Sequence, residues 1–197
     1  MTDWFDRPVL AGKHVRLEPL TLDHTDGLFA AGADPGIWTW LRHTQPSTVE
    51  EMRAVVAGLL DRHAAGTIVP WAQIDAVTGE VAGTTQFHDL APREGGLFIG
   101  GTWIGAKWHR TGLNTEAKLL LLDHAFDTLG AQRVGWQTDD RNERSQRAIE
   151  RLGAVKEGVL RRHRLRPDGS HRDTVTYSII REEWPAARER LTARLRD

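Results

Sequence analysis

Cysteine is absent from the sequence. Disulfides, thiolate metal ligands and cysteine nucleophiles are therefore excluded, and the composition suits a reducing compartment. Also missing is any run of about 18 apolar residues, the length a membrane-spanning helix needs, so no membrane association is expected. Charge of one sign is not in excess: the formal net charge is −1, which offers nucleic acid no bulk attraction. The segment Met1 to Arg7 carries Asp3 and Asp6 and lacks an apolar stretch. A secretory signal is not expected there, and the expected location is cytoplasmic. The nine histidines show no metal-ligand spacing. What is present is ordinary for a globular protein: 197 residues, 40% hydrophobic and 27% charged. That length predicts one domain, residues 1–197.

Val15 to Leu20 alternates apolar and polar and reads as a first strand. A short helix follows between Thr21 and Asp34. Ser47 and Thr48, each with a glutamate three residues on, form overlapping capping boxes. They open a helix through Met52, Val56 and Leu60. Ile68 to Ala76 and Glu80 to Leu90 read as a hairpin around Thr78-Gly79, and Leu97 to Gly105 as a third strand of the same sheet. The period then changes. From Thr115 to Leu129, Leu119, Leu122, Phe126 and Leu129 recur at helical spacing, with Gly130 as the stop. A strand over Gln132 to Thr138, a helix over Asn142 to Leu152, and strands over Val155 to Arg166 and His171 to Ile180 complete the sheet. Pro185 marks the start of a last helix running to about Leu195. The fold class is α+β, one sheet covered by helices.

Two segments carry candidate chemistry. In the first, Thr102 to Ala117, a strand feeds a glycine-containing turn and then a long helix. The first amides of a helix have no intrahelical partner, and with the macrodipole they suit a phosphate. Gly112 removes a Cβ from the approach, Asn114 or Thr115 can cap the helix, and Arg110 can add a charge-assisted contact. An ordinary strand-turn-helix remains the competing reading. The turn matches neither a Walker A loop nor a GxGxxG fingerprint. In the second, Asp139 to Ala154, Asn142 and Ser145 lie one helical turn apart and share a face. Asn142 can bond ligand amides and Ser145 can donate a proton to a thiolate, or Asn142 simply caps its helix.

Taken in order, these segments resemble the Gcn5-related N-acetyltransferase (GNAT) superfamily, in its RimJ/RimL-like branch. The resemblance spans nearly the whole chain: Gly12 to Leu20, Asp75 to Thr84, Gly112 to Ala117, Glu157 to Arg161, Asp168-Gly169, Arg172-Asp173 and Glu183 to Pro185. It implies a mostly antiparallel sheet, splayed between the strands ending at Gly105 and Thr138, the fourth and fifth of those read here. Acetyl-CoA is expected in that opening. Its phosphates would meet His109, Arg110, Thr111, Gly112, Leu113, Asn114 and Thr115, and its pantetheine would run along Trp103, Ile104 and Gly105. Asn142 would contact the pantetheine, and Ser145 would protonate the departing CoA thiolate. Two departures stand out. His109 and Asn114 replace the usual Gln/Arg and small residue of the turn, and Arg164 stands where the ribosomal branch carries a carboxylate base. Ribosomal specificity is therefore not carried over.

The resemblance implies direct attack of a neutral amine on the thioester, with a strand amide meeting the oxyanion. An α-amine is about 10 per cent neutral at pH 7 and a lysine below about 0.1 per cent. The missing carboxylate therefore favours an acceptor of low pKa. His88 and Glu94 are candidate bases. Trp38, Trp40, Trp71 and Trp108 are candidates for an acceptor pocket, with core packing as the alternative. The acceptor is a small-molecule amine or a peptide or protein N-terminus. Succinyl-CoA as donor, or a non-catalytic CoA-binding sensor, are the alternatives, and a homodimer is expected from the branch.

Overall fold

The computed structural model describes residues 3–41 and 43–196; Met1 and Thr2 of the acidic N-terminal segment lie outside the described residues. Eight strands form one sheet in the order β1-β2-β3-β4-β5-β6-β8-β7. They are β1 (Leu10–Ala11), β2 (Val15–Pro19), β3 (Ile68–Asp75), β4 (Val81–Ala91), β5 (Gly96–Ile104), β6 (Arg133–Asp139), β7 (Val155–Leu165) and β8 (His171–Ile180). The helices are α1 (Thr25–Ala31), α2 (Val49–Ala64), α3 (Leu113–Asp123), α4 (Glu143–Glu150) and α5 (Trp184–Arg194). Among the described residues no helix is long and apolar enough to cross a membrane.

The seven strands read from the sequence are all present. The addition is β1, a two-residue strand pairing Leu10 with Leu17, too short to show a period. Thr48 rather than Ser47 caps α2, accepting the Glu51 amide at 3.1 Å, while the Glu51 carboxylate reaches back to the Ser47 amide. The inward stripe of α3 is rotated from the expected one. Leu113, Ala117, Leu121 and Leu122 are buried and Leu119 sits at the margin. The helix continues into a π-helical turn over His124–Thr128, and an extra residue per turn shifts the face presented to the core.

Apolar side chains fill both sides of the sheet. One side holds Val69, Trp71, Phe87, Leu97, Ile99, Val134, Trp136, Val175 and Tyr177 against α3 and α5. The other holds Leu20, Leu28, Trp38, Met52, Val56, Ala72, Ile74 and Trp103 beneath α1 and α2. This second helical layer packs on the β3–β4 half of the sheet. The β6-β8-β7 half of that face carries mainly polar side chains.

A carboxylate ties α3 to the start of the sheet. Glu116, 7% exposed, accepts the backbone amides of Lys13, His14 and Val15 at 2.9, 2.6 and 2.9 Å. Gly12 has no Cβ because one would stand 2.3 Å from this carboxylate. Placing the charge in the first turns of α3 also suits the helix dipole. Glu116→Gln retains one acceptor oxygen for three donors. It is expected to lower stability by about 1–3 kcal/mol in urea unfolding; an unchanged midpoint would contradict the clamp.

Candidate active site

All strand pairs in the sheet are antiparallel except β5 with β6, and that parallel ladder is short. Gly96, Leu97 and Phe98 pair with Arg133, Val134 and Gly135, and the pairing ends there. Beyond it β5 runs on to Ile104 and β6 to Asp139 without pairing to each other. A gap therefore opens between the fourth and fifth of the strands read from the sequence, as the resemblance implied. It is narrow at Phe98/Gly135 and leads toward the start of α3.

On the β5 side, Thr84 pairs with Trp103 and Gln86 with Gly100, leaving one extra residue on β5. Gly101 absorbs this bulge with φ 56°, where a side chain is disfavoured. Beneath the bulge lies Lys118 of α3. Its Nζ is 2.7 Å from Thr102 Oγ1 and 3.2 Å from Thr85 Oγ1, and these two hydroxyls are 2.8 Å apart. Burial pushes the Lys118 amine down to about 7 from its ordinary 10.5. Lys118 was missed in the sequence. The available signal was a lysine four residues before Leu122, on the inward stripe.

The turn from β5 into α3 is held by several side chains. Trp108 Nε1 donates to Asp75 Oδ2 at 2.8 Å, Lys107 Nζ meets Glu80 Oε1 at 2.6 Å, and His109 Nε2 is 3.2 Å from the Ile104 carbonyl. Arg110 turns the chain at φ 64°. Among the described residues the amides of Arg110, Gly112, Asn114 and Thr115 have no protein acceptor; Leu113 donates to Thr111 Oγ1 at 3.3 Å and Glu116 to the Gly112 carbonyl at 2.9 Å. Four unpaired donors thus gather where the helix dipole is positive. Arg144, from the first turn of α4, adds charge from the far side of the gap. Burial first, then Arg144, holds the His109 ring below its ordinary pKa and so neutral at pH 7.

Two details of this turn differ from expectation. Gly112, not Asn114 or Thr115, is the N-cap position; Thr111 supplies the hydroxyl and the buried Asn114 Oδ1 has no partner. Gly112 has φ −66°, and a Cβ on it would meet the His14 ring at 3.0 Å. Packing against His14 itself favours glycine here, a requirement the sequence did not show.

Beyond β6, Asn142 caps α4, its Oδ1 accepting the Ser145 amide at 3.0 Å. The amide NH2 of Asn142 and the half-buried Ser145 hydroxyl have no partner among the described residues. Trp136, the first β6 residue past the paired stretch, keeps a buried Nε1 without a partner.

Of the candidate bases, His88 is the one near the narrow end. It pairs across from Phe98, stacks on that ring at 5.6 Å, and holds Nδ1 3.0 Å from Asp89 Oδ2. Burial outweighs Asp89 and lowers its pKa. Glu94 lies in the turn before β5, at the paired end of the β5–β6 ladder, and is exposed; position removes it. Trp71 and Trp108 are core residues whose indoles donate to the Pro8 carbonyl and to Asp75. Trp38 is buried against Trp103, and only Trp40 is exposed. Two surface hollows of about 630 Å³ each are lined by Val159 to Arg162 with Asp173 and by the N-terminal segment with Asp127 to Gly130. Neither belongs to the gap.

The GNAT acetyltransferase domain family matches residues 14–155, and the chain belongs to this family. It is therefore an acyl-CoA-dependent N-acetyltransferase. It is 26% identical to YoaA of Bacillus subtilis (strain 168), described as an uncharacterised N-acetyltransferase, over 88% of this chain and 97% of that one. A GCN5-related N-acetyltransferase from Brucella melitensis superposes with a TM-score of 0.90 at 34% identity, covering 96% of this chain and 86% of that one. Mycobacterium smegmatis RimJ, solved with CoA-disulfide, has a TM-score of 0.79 at 24% identity, covering 97% and 95%, a likeness of fold.

The buried lysine gives a prediction. Its amine is charged when unfolded up to about pH 10.5 but only below about 7 when folded. The unfolded state therefore binds more protons between these values, and stability rises with pH across that window. In Lys118→Met this rise is expected to vanish in denaturant titrations from pH 7 to 10; an identical slope in both proteins would contradict it.

Proposed function

We propose that this chain, acting as one unit over residues 1–197, transfers an acetyl group from acetyl-CoA to a primary amine of a small molecule or a peptide N-terminus. The observation that carries this reading is the cluster of unpaired amides at the start of α3, placed beside a sheet that stops pairing. The amides of Arg110, Gly112, Asn114 and Thr115, with the side chains of His109, Arg110 and Thr111 and the backbone of Leu113, fit a pyrophosphate. The β5 edge past Phe98 pairs with no β6 residue and is offered to a pantetheine arm running along Trp103 and Ile104 to Gly105, whose own N–H and carbonyl are bonded to Ala82 and Trp108; the Asn142 NH2 faces the same arm from α4. When bound, the thioester supplies an activated acyl carbon.

The residues of the chain supply the rest. The bulge at Gly101 frees strand amides to meet developing negative charge. His88, kept neutral by burial, accepts the proton of the attacking amine. Ser145 donates its proton to the sulfur as the C–S bond breaks. With a histidine rather than a carboxylate as base, an acceptor amine of low pKa is favoured, since it supplies far more neutral nucleophile at pH 7.

The test is CoA thiol release from acetyl-CoA across peptides and small amines. Release is expected with acceptors of low pKa. Tight CoA binding without release from any acceptor would instead indicate a binding module. Ser145→Ala is expected to lower kcat about 100-fold with the KM for acetyl-CoA nearly unchanged; an unchanged kcat removes Ser145 from the chemistry. Because the His88 pKa is depressed, activity should fall with acid only below pH 6.5, and His88→Gln should abolish that limb of the profile.

A further inference from the structure

The helix-free half of the sheet face, over β6, β8 and β7, holds more positive charge than its acids can neutralise. Arg164 of β7 and Arg172 of β8 are direct cross-strand partners. Side chains paired in this way share a face, and like charges there repel. Arg164 is half-buried, and the Arg172 side chain is 14% exposed. The acid nearest Arg172 is already taken. Asp139, 4% exposed, receives a bidentate fork from Arg166, Nε and Nη2 each at 2.8 Å. Burial raises that carboxyl, but Arg166 and the Arg141 amide outweigh it and hold it at about 2. Asp140 also goes to Arg166, at 3.0 Å.

Little acceptor capacity remains for the cross-strand pair. Arg172 Nε stands 3.9 Å from Asp139, too far to bond, and is buried with no partner. Thr174 Oγ1, in the same cluster and fully buried, has none either. Arg164 makes one bond, from Nη2 to Gln137 Oε1 at 3.3 Å, and among the described residues it meets no carboxylate. Burial, with Arg164 and Arg166, pulls the Arg172 pKa down against Asp139.

The place of this pair bears on the reaction. Gln137 lies two residues past Gly135, the last β6 residue paired to β5, or about 7 Å along the strand. His88 approaches the same narrow end from β4. His88 lies two strands from β6, roughly 10 Å across the sheet, so an acceptor with its amine beside His88 would reach the guanidiniums with its far end.

We propose that Arg164 and Arg172 bind an oxyanion, a carboxylate or a phosphate, carried by the acceptor at the end away from its reacting amine. As a statement about the acceptor it rests on the acyl-transfer reading; as a statement about an anion site it does not. A guanidinium fork matches either oxyanion bidentately, and the bound charge would relieve the Arg–Arg repulsion.

Two measurements test it. In the first, inorganic phosphate is titrated against wild type and Arg164→Gln in thermal unfolding, with CoA present to fill the α3 site. Phosphate should stabilise wild type and lose most of that effect in Arg164→Gln and Arg172→Gln. Equal stabilisation of all three overturns the anion site whether or not acetyl transfer occurs. In the second, CoA release is compared for matched acceptors: a dipeptide and its C-terminal amide, an aminoalkyl phosphate and the amino alcohol. The anionic member of each pair should have a kcat/KM about 10-fold or more higher in wild type, and Arg164→Gln should erase the ratio. Equal rates within both pairs, or a ratio that survives in both variants, overturn the proposal. The larger of the two ratios identifies carboxylate or phosphate. Phosphate stabilisation without release from any acceptor keeps the anion site and refutes acyl transfer instead.

Discussion

The short ladder between β5 and β6 is the constraint on which the rest depends. Three residue pairs join the two halves of the sheet, and past Phe98 and Gly135 the strands leave their inward edges unsatisfied. Backbone groups at such an edge need partners. Here the edges face a gap bordered by the starts of α3 and α4. The bulge at Gly101 redirects β5, and Lys118 with its two threonine hydroxyls fills the space beneath. A lysine kept near neutrality in this place can both accept and donate hydrogen bonds, which suits two hydroxyls better than a fully charged ammonium does.

The gap is useful only if α3 begins at a fixed point beside it. Two clamps on opposite sides of the turn provide this. Glu116 gathers three amides of the segment leading into β2, and Asp75 holds the Trp108 indole. The unpaired amides are therefore offered by a rigid frame, and little ordering entropy is left to lose when an anion arrives. Arg110 and Arg144 supplement the dipole from the two sides of the gap.

Much of this was legible in the sequence. Alternation and turn residues located the strands from Val15 to Ile180, and the Thr102–Ala117 segment pointed to the right helix start. The order of motifs named the family and implied the divided sheet. Other features were not legible, for physical reasons. The β1 strand is too short to have a period. The π-helical turn after Asp123 rotated the α3 stripe, so Leu119 was taken for core and Lys118 passed over. The clamp at Glu116 has no local signal, because its three partners are about a hundred residues away in sequence. The packing of Gly112 on His14 joins residues far apart in sequence. The Arg164–Arg172 pair depends on strand register across a bulged β7, which spacing alone does not fix.

The direct test of the central claim is a crystal structure of the protein with acetyl-CoA. The pyrophosphate should accept hydrogen bonds from the amides between Arg110 and Thr115, with the pantetheine amides bonded to the β5 edge past Phe98, along Trp103 and Ile104, and the sheet still parted there. A thioester bound elsewhere, or β5 and β6 closed into a continuous ladder, would contradict the account.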